Sequence, residues 1–271
     1  MRIKRWFSAL LLSAVAWGGQ ATTPGSHSQI VEAVRSYVLG YVRSLPDYTC
    51  VQVIHRETTQ MRSTVSDVIE EEVSYIAGHE HYRVTKVNGF RAAITSQAQL
   101  GDRVGGMVST GEYGSLLQQI FHPATGTTFR PAPSVKLRGR AVNVLTYHVP
   151  QSQGYRVYDR EIGRSFLVAY EGSVFADAKT NSVMRFTMKC LNLPLETRLT
   201  AVDLAMDYRL TRLADQEFVL PFHFQLRSHR LPPYGRPIPE EEINSVDFTR
   251  YRRFTAESTV NFGDEAGNPK Q

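Results

Sequence analysis

The chain has no apolar run of the roughly 20 residues that a membrane-spanning helix needs; the run from Trp6 to Trp17 is too short for an anchor. It has no Gly-x-Ser-x-Gly elbow, and its serines are scattered without a histidine signature nearby, so nucleophilic hydrolysis finds no support. Gly101, Gly105 and Gly106 lack the lysine and the strand-turn-helix context of a phosphate cradle. No helical His-Glu-x-x-His spacing is present. Nothing repeats at a solenoid period. Only two cysteines occur, Cys50 and Cys190, and no His-rich motif accompanies either, which argues against a catalytic thiol. These absences point away from an enzyme and from a bound cofactor.

What is there begins with export. Arg2, Lys4 and Arg5 precede the short apolar run, and small residues follow around Gly19-Gln20-Ala21. That is the layout of a secretory signal over residues 1–21, with cleavage after Ala21. No cysteine follows the cleavage region, so an acylated lipoprotein is not expected, and the protein is expected to be periplasmic or secreted. Three of the 31 Lys and Arg leave with the signal, against 26 Asp and Glu in the chain. The mature protein is close to neutral, which removes the simplest argument for a nucleic-acid partner. An oxidising compartment favours a Cys50–Cys190 disulfide; two separately buried thiols are the alternative.

From Ser28 to Leu45 the apolar positions Ile30, Val34, Tyr37, Val38, Tyr41 and Leu45 recur at three and four residues, predicting one amphipathic helix ended by Pro46. Strands follow at 48–58, 65–76 and 81–87, with Asn88-Gly89 as a turn. Between Ala98 and Pro131 the pattern breaks into a glycine-rich insertion with a short helix, Glu112 to Phe121, stopped by Pro123. Strands resume at 140–150, 154–160 and 165–177. In "YEGSVFADAKTNSVMRFTMKC" (170–190) a polar turn joins two strands, and Met184, Phe186, Met188 and Cys190 alternate with Arg185, Thr187 and Lys189. Val202 to Leu210 and Phe218 to Leu226 alternate in the same way, an antiparallel hairpin with one apolar face. Pro221 lacks an amide hydrogen and should sit at an edge or a bulge. A proline-rich loop (230–245), a last strand (246–262) and a disordered tail (263–271) complete a single domain over 22–262.

Three clusters bear on chemistry. His79-Glu80-His81 has metal-ligand residue types, with His79 and His81 on one strand face, but spacing indicates no third ligand, and a polar surface is the simpler reading. Asp203 and Asp207 share a strand face, as paired carboxylates would, but solvated strand charges are the simpler reading, since alternation with core residues already explains them. Arg250, Tyr251, Arg252, Arg253 and Phe254 form a basic-aromatic stretch of the kind that binds RNA or an anionic headgroup, but export argues against RNA, and an edge strand protected by charge is the preferred reading.

The order of elements, with "GSVFADAKTNSVMRF" (172–186), "AMDYRLTRLADQEFVLPFHFQL" (205–226) and "YRRF" (251–254), resembles the periplasmic lipoprotein-carrier superfamily of LolA-like and LolB-like half-barrels. In such proteins a strand ends in an aspartate before a turn and the next runs into an arginine, as Asp177 and Arg185 do. A later strand carries a tyrosine and leads through an acidic turn to a Leu-Pro pair, as Tyr208, Leu220 and Pro221 do. The long insertion and the 230–245 loop depart from the small carriers. The resemblance implies a mainly β (α+β) fold: a curved antiparallel sheet forming an incomplete barrel packed on the N-terminal helix. It also implies a hollow for acyl chains; Met184, Phe186, Met188, Leu204, Met206, Tyr208, Phe222 and Phe224 would line the concave face, as suited to a greasy guest as to a sealed core, the more common fate of such stripes. A lipid or lipoprotein acyl chain is the expected partner. The alternative is a protein-interaction or envelope-stress-sensing module of the same fold, recruiting an envelope protein by strand addition.

Overall fold

The computed structural model describes residues 24–60, 63–92, 114–159, 162–232 and 240–254. The signal segment, residues 98–113 of the insertion, residues 233–239 and the tail lie outside them. Helix α1 (Pro24–Ser44) comes first, then strands β1 (Tyr48–Gln60), β2 (Ser63–Ile76), β3 (His79–Val87) and β4 (Phe90–Arg91). Helix α2 (Ser115–Phe121) and a 3-10 turn at Pro123–Thr125 lead into β5 (Thr128–Leu137) and β6 (Arg140–Val149). A separate hairpin, β7 (Tyr155–Asp159) and β8 (Arg164–Val168), precedes β9 (Tyr170–Asp177) and β10 (Val183–Cys190). Three long strands end the order: β11 (Leu199–Leu213), β12 (Gln216–Arg230) and β13 (Glu240–Arg253).

Eleven strands form one antiparallel sheet in the order β4-β3-β2-β1-β13-β12-β11-β10-β9-β6-β5. It is curved and not closed, an incomplete half-barrel with two α-helices among the described residues. β9 and β10 approach closely at one point. The chain of β10 runs so close to Gly172 on β9 that a Cβ there would lie 1.8 Å from the Thr187 carbonyl oxygen. Tyr147 of β6 crosses the same point and donates its hydroxyl to that carbonyl, 2.8 Å away. The ring thus covers the strip that Gly172 leaves bare.

Several boundaries differ from the sequence reading, each for a physical reason. α1 starts at Pro24, before the first apolar repeat, and its last turn holds Arg43 against the negative end of the helix dipole. β5 falls partly inside the expected insertion and its prolines hide it; Pro131 and Pro133 are tolerated because β5 is an edge strand. Glu240 to Ser245, expected as loop, begins β13, whose inward positions there are the buried Glu242 and Asn244 rather than apolar residues. β13 is also not an edge strand, since it pairs with both β1 and β12. Pro221 does sit at a bulge: Asp207 pairs with His223 and Tyr208 with Pro221, leaving Phe222 unpaired.

Cys50 and Cys190 are both buried and both free, so the favoured disulfide does not form. β13, β12 and β11 stand between their strands. Each strand step is about 4.8 Å, whereas a disulfide needs Cα atoms within about 7 Å. Burial first, and the Asp203 charge second, push the Cys190 thiol up to about 12.

Candidate functional site

The inner face of the sheet gathers most of the alternating apolar residues. Phe186, Met188, Leu204, Met206, Tyr208 and Phe224 belong to one core cluster, none more than 4% exposed. Met184 and Phe222 do not. Each is passed over by the register shift of its strand, β10 for Met184 and β12 for Phe222. Phe222 instead lies beneath the guanidinium groups of Arg138 and Arg209, 4.7 and 5.4 Å from the ring centre. Period-two patterning keeps Phe222 in phase with Phe224, so the sequence carries no sign of this reversal except Pro221.

Two helices cover the inner face. α1 contributes Val31, Val34 and Val38, and α2 contributes Leu116, Leu117, Ile120 and Phe121, all buried in the same cluster. Between the helices, Arg35 donates through Nε to the Phe121 carbonyl at 3.1 Å. Tyr41 of α1 donates its hydroxyl to the Val219 carbonyl of β12. The cover is therefore made of side-chain packing and a few hydrogen bonds, while the sheet is held by continuous ladders.

Toward the far end of β1 the inner face turns polar. Arg56 is 3% exposed and donates through Nε to Asn244 Oδ1 at 3.1 Å, with Glu242 Oε1 at 3.8 Å. Asn244 donates in turn to Glu242 at 3.0 Å, and Gln52 donates to Glu71. Charges this deep survive because they are paired and hydrogen-bonded. The phenol oxygens of Tyr48 and Tyr170 are buried without a hydrogen-bond partner among the described residues. The interior is thus greasy under the helices and ionic at one end, a distribution that the strand alternation alone did not reveal.

A groove of about 840 Å³ lies on the other face of the sheet. Its lining follows the strand register: His148, Glu171, Lys189, Asp203 and Arg227 form one cross-strand row, and Thr146, Ser173, Thr187, Ala205 and Gln225 the next. Alternating charges and hydroxyls keep this groove hydrated, so an acyl chain has no reason to enter it. Asp203 and Asp207 sit four residues apart on β11, about 13 Å along a strand, beyond the spacing of carboxylates that share a substrate. Asp207 is instead clamped by Arg185 Nε at 2.8 Å and Arg138 Nη2 at 3.2 Å.

Asp177 and Arg185 do not pair with each other. Asp177 Oδ1 accepts from the amides of Lys179 (2.9 Å) and Thr180 (3.0 Å), closing the β9–β10 turn, and Arg140 lies 2.7 Å from its other oxygen. Burial raises its pKa, but these amides and the Arg140 charge outweigh that, and its carboxyl titrates below the ordinary range. His79 and His81 are exposed on β3, while Glu80 accepts from Tyr82 at 2.6 Å.

No family model matches the chain, and no curated protein matches it. Among solved structures it is similar to a domain from Vibrio parahaemolyticus described under outer membrane lipoprotein sorting, at 8% identity and a TM-score of 0.46, covering 87% of this chain and 97% of that one. It is also similar to a DUF1329 family protein from Desulfovibrio piger, at 9% identity and 0.41, covering 87% and 98%. A LolA superfamily protein from Nitrosomonas europaea aligns at 9% identity and 0.34, covering 84% and 93%.

Proposed function

We propose that this protein is a non-enzymatic envelope protein that holds an amphiphile, the acyl chain of a lipid or lipoprotein, inside its half-barrel. The observation that carries the reading is the cover: a one-sided apolar sheet closed by two helices rather than by strand pairing. Helices resting on side chains can be displaced without breaking a ladder, and a chain entering beneath them replaces one apolar contact with another. Met188 and Met206 sit at the centre of this face, and methionine repacks readily around a guest. The ionic end around Arg56 would suit the polar end of such a molecule. Docking of a protein by strand addition is less well served. β5 is interrupted by Pro131 and Pro133 with Lys136 beyond, so that edge offers no unbroken row of amides.

The test is uptake of a fluorescent fatty acid by the mature chain. Saturable uptake at one site, displaced by an unlabelled phospholipid, is the expected result. A folded chain that takes up no acyl probe overturns the proposal.

A further inference from the structure

Of two stretches singled out in the sequence, His79-Glu80-His81 and Arg250 to Phe254, the residues His79, His81, Arg250, Arg252 and Arg253 are exposed, and the topology brings them to one end of the sheet. β13 finishes beside the start of β1, with Arg253 opposite Tyr48 and Arg252 opposite Thr49. Thr49 faces Ser74 on β2, and Ser74 faces His81 on β3, so Arg252, Thr49, Ser74 and His81 form one cross-strand row. The Phe254 amide donates to the Asp47 carbonyl at 2.9 Å, just after α1 delivers Arg43 in its last turn. Arg43, Arg250, Arg252 and Arg253 are all exposed, and Phe254 retains 38% of its surface.

These four arginines differ from many others in the chain. Arg35, Arg83, Arg140, Arg185 and Arg230 each meet a carboxylate within 3 Å. Among the described residues no ion pair joins any of the four to an acid. Two acids at this end are engaged elsewhere: Asp47 accepts from the Ala77 amide at 2.8 Å, and Glu80 from Tyr82. The backbone presents the cluster at a cost. Opposite Cys50, β13 carries an extra residue, and Arg250 takes a left-handed φ of 55°, strained for any side chain but glycine. That bulge sends Tyr251 inward, where its hydroxyl reaches the Pro221 carbonyl at 2.6 Å, and leaves the flanking arginines in solvent.

We propose that this end of the half-barrel docks on an anionic phospholipid surface, with the arginines against the headgroups and the Phe254 ring among them. Unpaired guanidinium groups around one exposed ring form a patch that such a surface attracts and a zwitterionic one does not. On a chain with 31 Lys and Arg against 26 Asp and Glu, this local excess is a property of placement. The inference rests on that placement alone and stands whatever the interior holds.

The test is co-sedimentation with phosphatidylcholine vesicles made with and without phosphatidylglycerol. Binding should require phosphatidylglycerol, weaken with salt, and drop about five-fold for each arginine neutralised. The variant R252E/R253E should lose it. R250G removes a charge while easing the backbone, so it should fold at least as well and still bind more weakly. A control of equal net charge, K136E/K189E, should bind like the parent. Equal binding to both vesicle types, no binding to either, equal loss in the control, or release by inorganic phosphate at constant ionic strength would each overturn the proposal, the last by pointing to a free-phosphate site.

Discussion

At the scale of single residues, the positions that matter most are those whose chemistry contradicts their surroundings. Arg56 is a guanidinium in an otherwise greasy interior, kept there by Asn244 and Glu242. Arg56→Ala would remove the guanidinium that lies 3.8 Å from the buried Glu242 carboxylate, so it should cost about 3–5 kcal/mol in urea unfolding. A variant that unfolds at the parent's midpoint would show that water or other groups already solvate Glu242. Gly172 is the converse case, a residue required for what it lacks. Its missing Cβ makes room for the Thr187 carbonyl, and Gly172→Ala forces backbone apart rather than a flexible tip. The expected loss is about 3 kcal/mol or more, read as a lower thermal midpoint with unchanged strand content in circular dichroism. Neither residue stands out in the sequence, because strand alternation reports the face of a side chain and says nothing of its partners across the sheet.

At the scale of elements, the β9–β10 turn couples charge to stability. The Asp177 carboxyl titrates lower in the folded chain than in the unfolded one. Its contribution is therefore complete above the ordinary carboxylate range of about 4 and is lost as pH falls through the lower, folded value. Asp177→Asn should lower stability at neutral pH and flatten the acid limb of a plot of unfolding free energy against pH; an unaltered acid limb would assign that dependence to other groups. The elements themselves were unequally visible. α1, α2 and the β11–β12 pair follow strong periodicities, and the positions Leu116, Leu117, Ile120 and Phe121 are buried as their spacing requires. β5 and the first half of β13 were missed, the one because edge position lets it keep two prolines, the other because its inward residues are polar and satisfied by the interior network.

At the scale of the molecule, the free thiols give a direct check on topology. With three strands between them, Cys50 and Cys190 should both be silent toward a thiol reagent in the native state and both react on unfolding. Reductant should leave the thermal midpoint unchanged. A chain that shows no titratable thiols even when unfolded without reductant would mean that the strand order is wrong. The same order decides where charge gathers: the two ends of the sheet differ because β13, last in sequence, inserts beside β1 and carries its arginines to the place where α1 ends.

Sequence alone determined the covalent logic of the core: which strands are one-sided, where the helices lie, and that the fold is a mainly β sheet packed on a helix, because burial of one face writes itself into period two and period 3.6. Tertiary structure decided the rest. Which strands became neighbours, which bulges moved Met184 and Phe222 out of the core, that the cysteines stay apart, and that two unremarkable polar stretches meet at one corner all depend on pairing between segments distant in the chain, and local periodicity holds no record of that pairing.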